Sequence, residues 1–173
     1  APDAFVITRA IACFERSLLS GNSPYDQYIK NNNTNAMTDA QIRGMNLFFS
    51  DRTNCSTCHS GFNFTNYAFE NNGLYIQYAD IGRMRLTLKE EDMALFKVPG
   101  LRNIEMTGPY MHDGSIQTLQ QVIDHYQSGG MDHPHKNPIL KPLDLTTPEQ
   151  KDLIEFLKAL TDDTFLTNPI FKY

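Results

Sequence analysis

Residues 55–59 read CSTCH, which puts Cys55, Cys58 and His59 within five positions. Two thiols separated by two residues, with a histidine directly after the second, form the attachment pattern of a c-type haem. On one helical turn both thiols can add across the two vinyl groups of the porphyrin, and the adjacent imidazole turns toward the iron. A structural zinc site is a rival for the same residues. It needs a further Cys or His pair at matched spacing, and the third cysteine, Cys13, lies too far away to supply one. A thioredoxin-type redox pair is a second rival, and it lacks the strand-then-helix context.

Outward from this motif, the chain has 173 residues, 40% of them hydrophobic and 20% charged, a length that suits one c-type haem domain over 1–173. Ten Gly, nine Pro and the asparagines at 31–33 and 35 indicate much loop. A net charge of -5 and a pI near 5.4 argue against nucleic acid and against an anionic membrane surface as partners. No apolar run is long enough to span a bilayer. The chain begins APDAF with no recognisable signal peptide. Haem c is attached after export, so the expected location is periplasmic or otherwise extracytoplasmic, with the export signal removed or carried by a longer precursor. Cys13, set among apolar neighbours in AIACFERSLL, is expected to be a small buried hydrophobe.

The apolar spacing predicts a first helix with a broad buried face formed by Phe5, Val6, Ile7, Ile11, Ala12, Phe14 and Leu18, ended by Gly21 and Pro24. Thr38 followed by Gln41 is a capping box that starts a second helix, with Ile42, Met45 and Phe49 as its stripe. From Phe62 to Lys89 periodicity fades, and the segment reads as an ordered long loop with a short strand pair. FKVPGLRNIEMTGPYMHDGS, from Phe96, is loop-like and punctuated by Pro99, Gly100, Gly108, Pro109 and Gly114. Thr118 and Gln121 cap the next helix, which Gly129 and Gly130 stop. In the last helix Thr147 is the expected cap, Pro148 the first turn and Gln150 the box partner, with Leu153, Phe156, Leu157 and Leu160 inward. The expected class is mainly α, a cytochrome c-like haem domain with long ordered loops.

Spacing does not choose the second iron ligand. Met84, Met93, Met106, Met111 and Met131 compete, as do His112, His125, His133 and His135. Tyr126 continues the stripe Leu119, Val122, Ile123, and on that pattern alone it reads as a core tyrosine with a satisfied hydroxyl. His125 points off that stripe toward a surface or supporting role. His112 in YMHDG reads as a structural turn residue, and His133 and His135 in their Pro-rich loop carry no ligand role.

Four segments in order carry a family resemblance: AIACFERSLLSGNSPYDQYI, MTDAQIRGMNLFFS ahead of CSTCH, FKVPGLRNIEMTGPYMHDGSIQTLQQVIDHYQSGG, and LKPLDLTTPEQKDLIEFLKALT. Together they resemble the C-terminal haem domain of the bacterial di-haem cytochrome c peroxidase and MauG superfamily. The resemblance implies an oxidoreductase in which peroxide reacts at one haem while the haem of this domain relays or stores oxidising equivalents. Only one CxxCH is present, so it also implies a partner: a second haem-bearing domain or chain resembling the N-terminal half, separately encoded or released from a nicked precursor. A redox partner or substrate protein completes the system. The family's distal ligand falls on the helix that begins TLQQ, a Met in its peroxidases and a Tyr in MauG-type enzymes, and counting along this helix reaches Tyr126. A phenolate is a hard anionic donor that favours ferric iron and lowers the potential, where thioether sulfur would raise it. The resemblance further implies a calcium ion between the two haems, met here by Thr107 and Pro109, whose oxygens suit a hard cation. Lys97 and Arg102 are candidates to pair with haem propionates. Two other readings stand beside this one. The first is the electron-transfer half of a conventional cytochrome c peroxidase with a Met such as Met131 on the iron. The second is a mono-haem carrier without peroxide chemistry.

Overall fold

The computed structural model describes residues 1–171. Its body is built on α3 (Asp39–Phe48), α6 (Leu119–Ser128) and α7 (Thr147–Lys158), with α7 packed along α3 and touching α6. Two of the three capping boxes expected from the sequence form where expected. The Thr38 side chain accepts from Gln41 N and the Gln41 side chain from Thr38 N, and the same exchange joins Thr118 and Gln121. Gly129 closes α6 at φ 80, a left-handed conformation that favours glycine. The α7 cap is displaced by one residue from the expected Thr147. Thr146 is the cap and Glu149 its partner, which leaves Thr147 as the first helical residue. Both pairings fit the sequence. The observed one puts a carboxylate where the helix dipole stabilises it and within 2.6 Å of Arg52 Nη1.

The core comprises Met37, Phe48, Phe64, Leu101, Leu119 and Ile123 together with Leu145, Leu153, Phe156, Leu157 and Leu160. Phe48, Phe64 and Phe156 are mutually tilted or edge-on, with centroids 5.1 to 6.3 Å apart, the geometry that the ring quadrupoles favour. On α3 the fully buried positions are Gly44 and Phe48, whereas Phe49 of the expected stripe is 45% exposed. The face is centred on Gly44 because α7 crosses there. A Cβ at Gly44 would stand 1.9 Å from the Asp152 carbonyl oxygen.

α1 (Ala4–Ser17) forms as expected but buries none of its residues. Phe5, Val6, Ile7, Ile11 and Phe14 are 46 to 60% exposed, and Cys13 is exposed as well, contrary to the expected buried face. The helical apolar period is real, but of this face Phe14 meets Phe171 edge-on, with centroids 6.4 Å apart, and the face stays exposed. The segment after α1 is anchored instead, with Gly21 N and Asn22 N donating to Asp162 Oδ2 at 2.9 and 2.8 Å.

Pro24 does not break the chain but opens α2 (Pro24–Lys30), capped by Ser23 with Asp26 as box partner. Asp26 is buried, and it accepts from Arg102 Nη1 and Nη2 at 2.7 and 3.0 Å, from Ser23 Oγ at 2.8 Å and from Lys30 Nζ at 3.1 Å. Burial pushes this carboxyl up, but the hydrogen bonds from Arg102, Ser23 and Lys30 outweigh it and hold it at about 2. A depressed carboxylate contributes stability that is present above its unfolded pKa and is lost as pH falls through the folded value. Between pH 5 and pH 2 the parent is expected to lose about 2 kcal/mol that Asp26→Asn does not lose. Urea unfolding of both at the two pH values checks this, and parallel pH profiles would reject it.

The long excursion between the haem motif and α6 carries little regular structure. β1 (Phe69–Glu70) pairs antiparallel with β2 (Phe96–Lys97), so the partner strand lies in the segment read as loop and not within 62–89. Two-residue strands have too little alternation to be read. Side-chain bonds replace the missing ladder. Asn71 Nδ2 donates to Ala94 O at 2.9 Å, Asn71 Oδ1 accepts from Gly73 N at 2.8 Å, and Thr65 Oγ1 donates to Val98 O at 2.7 Å. Among the described residues no helix is long and apolar enough to cross a membrane.

Candidate haem site

The motif occupies α4 (Cys55–Cys58), a single turn entered through Asn54 at φ 54 and closed by His59 N donating to Cys55 O at 2.9 Å. One turn sets the two thiols on the same side. Both are free and partly buried. Burial pushes each above the usual thiol range, so they stand as neutral thiols.

His59 Nδ1 lies 3.0 Å from the Phe64 carbonyl. A carbonyl only accepts, so the proton is on Nδ1 and Nε2 keeps its lone pair, the state of an imidazole ready to bind a metal. Burial lowers the His59 pKa, against the pull of the Phe64 and Pro99 carbonyls. Phe64 is itself 2% exposed in the core, so the imidazole is oriented by the most rigid part of the fold.

Tyr126 stands near the end of α6. Burial pushes its phenol up, the Asn72 side chain pulls it down, and the two thiols Cys55 and Cys58 and the phenol of Tyr78 act on it as neighbours. Asn72 and Tyr78 belong to one segment, 71–78. That segment is fixed to α6 by His125, whose Nε2 lies 3.0 Å from Asn72 O. Asn72 Nδ2 also reaches Met111 Sδ at 3.2 Å. Sequence reasoning missed Asn72 and Tyr78, which lie in a segment without periodicity. The only sequence signal was the density of Asn and Tyr there.

The remaining candidates separate. Arg102 is spent on Asp26, its Nε donates to Phe62 O at 2.7 Å, and its guanidinium covers the Phe62 ring at 4.1 Å, so its fork is already filled in place of the expected propionate. Lys97 on β2 is exposed with Nζ 5.0 Å above the Tyr67 ring and keeps its charge available. His112 stacks on Phe96 at 3.9 Å, His133 is buried against Tyr78, and His135 Nδ1 is 3.3 Å from Glu91 O. Met106 and Met131 are 62 and 53% exposed. Thr107 and Pro109 are exposed, and among the described residues neither carbonyl accepts a hydrogen bond, while Thr107 Oγ1 donates to Ile104 O. Among the described residues no group of three His, Cys, Asp or Glu could hold a metal ion by itself. Two free carbonyls fit part of a shared calcium shell, not a complete one.

Paired thiols on one turn and a histidine with Nε2 free fit haem c. A mainly helical fold arranged round that motif defines a c-type haem domain. No protein-family model matches the chain. MauG of Methylorubrum extorquens is 36% identical over 156 residues, covering 89% of this chain and 43% of MauG. Cytochrome c peroxidase Ccp of Escherichia coli is 41% identical over 124 residues, covering 68% of this chain and 26% of Ccp. The crystal structure of a MauG-like protein associated with microbial copper homeostasis matches with a TM-score of 0.88 at 34% identity, over 99% of this chain and 61% of that one. The chain belongs to the bacterial di-haem cytochrome c peroxidase and MauG superfamily. It spans about half the length of the MauG relatives it matches, 43 and 46%.

Proposed function

We propose that this chain is the haem module that stores or relays oxidising equivalents in a di-haem peroxidase or MauG-like oxidoreductase. The observation that supports the reading is the CxxCH turn with His59 Nδ1 held on the Phe64 carbonyl, which leaves Nε2 for iron, together with a half-buried Tyr126 on α6 whose phenol counts both thiols among the groups that act on it. The haem supplies reversible one-electron chemistry when bound. Cys55 and Cys58 would tether it, and His59 Nε2 and the Tyr126 phenol oxygen would be its iron ligands. Tyr126 as phenolate would hold the ferric state, which suits a store better than a fast carrier. The phenol needs a cation to ionise, because burial alone disfavours its anion. Lys97 is free to meet a propionate, and the Thr107 and Pro109 carbonyls to share a calcium ion with a second haem-bearing half. That half is where peroxide would react, and a redox partner or substrate protein would receive the equivalents. An extracytoplasmic location follows from the haem attachment chemistry.

Tyr126→Phe tests the reading. Loss of the phenolate-to-iron absorption and an upward shift of potential on the order of 0.1 V are expected, well inside the ~0.8 V range that axial ligands command. An unchanged ferric spectrum and potential would remove Tyr126 from the iron. The 41% identity to Ccp favours a second reading, a conventional peroxidase half with sulfur on the iron. A thioether signature in the parent spectrum would select it.

A further inference from the structure

We propose that Tyr78 and Tyr75 form an exit for oxidising equivalents, ending at Tyr75 on the surface, where a phenolic donor loses one electron. The inference rests on the storage role above. Tyr78 lies on the segment that His125, next to Tyr126 in sequence, binds to α6 through Asn72 O, and its hydroxyl reaches Asn71, the neighbour of Asn72. Its ring meets Tyr75 edge-on, with centroids 5.5 Å apart and planes at 73°. The Tyr78 hydroxyl is fixed at both ends, accepting from Leu74 N at 2.9 Å and donating to Asn71 Oδ1 at 3.3 Å. Tyr75 is half-buried, and its hydroxyl donates to Asp113 Oδ2 at 2.7 Å on the exposed rim. Ile76, 62% exposed, gives the rim an apolar flank for an aromatic ring.

The Tyr75–Asp113 bond is too exposed to matter much for stability, but it has the geometry for proton-coupled oxidation. A phenol becomes a strong acid when it loses an electron, and a carboxylate already hydrogen-bonded to it can take the proton without rearrangement. Hydrogen bonds from Tyr75 and Ser115 more than offset burial and hold Asp113 at about 2, so it is ionised and ready to accept.

The oxidant is the haem after it has been charged by peroxide through the partner haem. Tyr78 passes one electron to it and is refilled by Tyr75, whose phenolic proton moves to Asp113, leaving a neutral tyrosyl radical beside a carboxylic acid. A phenolic donor then gives one electron to Tyr75 and releases its own proton to water. Asp113 returns the stored proton to Tyr75, and both residues are restored.

The test adds peroxide to the haem-loaded native assembly and freeze-quenches it for EPR, with free tyrosine in a parallel sample. The parent is expected to show a tyrosyl signal that narrows with ring-deuterated tyrosine, and to carry a ring-coupled tyrosine on Tyr75 by peptide mass mapping. Tyr75→Phe is expected to lose both, with Soret and far-ultraviolet circular dichroism spectra equal to the parent's as proof of folding. Asp113→Asn is expected to form the signal roughly 100-fold more slowly. A haem spectrum that responds to peroxide while the parent gives neither signal nor adduct would overturn the exit and leave the storage role standing. A parent-like signal in Tyr75→Phe would overturn Tyr75 as the terminus. A haem spectrum that ignores peroxide would overturn both.

Discussion

Replacing Cys55 and Cys58 together by alanine is expected to change the haem from wholly resistant to acid–acetone extraction to wholly extractable. Thioether bonds survive unfolding, whereas axial ligation of the iron does not. The double variant removes the bonds and keeps the imidazole, because His59 is oriented from the other direction, by the Phe64 carbonyl at 3.0 Å. The haem can therefore still bind, but only reversibly. Haem staining on a denaturing gel reads the outcome directly, and a stained band in the double variant would show that attachment lies elsewhere.

Gly44→Ala should unfold at lower temperature in spite of a better helix residue. Alanine gains about 1 kcal/mol over glycine inside a helix. Its Cβ, however, would stand 1.9 Å from Asp152 O and 2.8 Å from Phe156 Cβ. The first neighbour is backbone of α7 and the second a side chain that is 0% exposed, so neither yields without moving the helix. Overpacking of this kind costs about 1–3 kcal/mol and sometimes more, and here it falls on the interface that holds α3 to α7. A net loss of about 2 kcal/mol would lower Tm by roughly 4–8 °C for a domain of this size. Arg43, whose Nε and Nη2 grip Asp152 at 2.7 and 2.8 Å, would be displaced with it. A melting temperature equal to or above the parent's would show that the crossing is looser than it stands.

What was legible in the sequence was local. The CSTCH turn and the Thr38 and Thr118 boxes depend on residues within a few positions of one another, and they form where expected. Tyr126 lies on α6, half-buried, as its stripe implies. Thr146 and Thr147 present the same box one residue apart, and only Arg52, 97 residues from Glu149, decides between them. Arg102 illustrates the same limit: nothing near it in the chain announces Asp26, 76 positions away. Periodicity in α1 shows that a face exists, not what covers it. Asn72, Tyr75 and Tyr78 are placed by tertiary contacts alone, so the walls of the site were the part least open to reading.

The asparagine bracing of the long excursion has an electrical consequence. Asn71 and Asn103 are 1 and 7% exposed; Asn71 grips backbone at both ends of its amide, and Asn103 accepts from Asp162 N at one end and donates to Ser20 Oγ at the other. Amides are dipoles without net charge, and their short grips leave them little room to swing. Struts of this kind would relax little on a change of charge near them, which would suit the storage role proposed above, and they lie in loops with hardly a strand or helix among them.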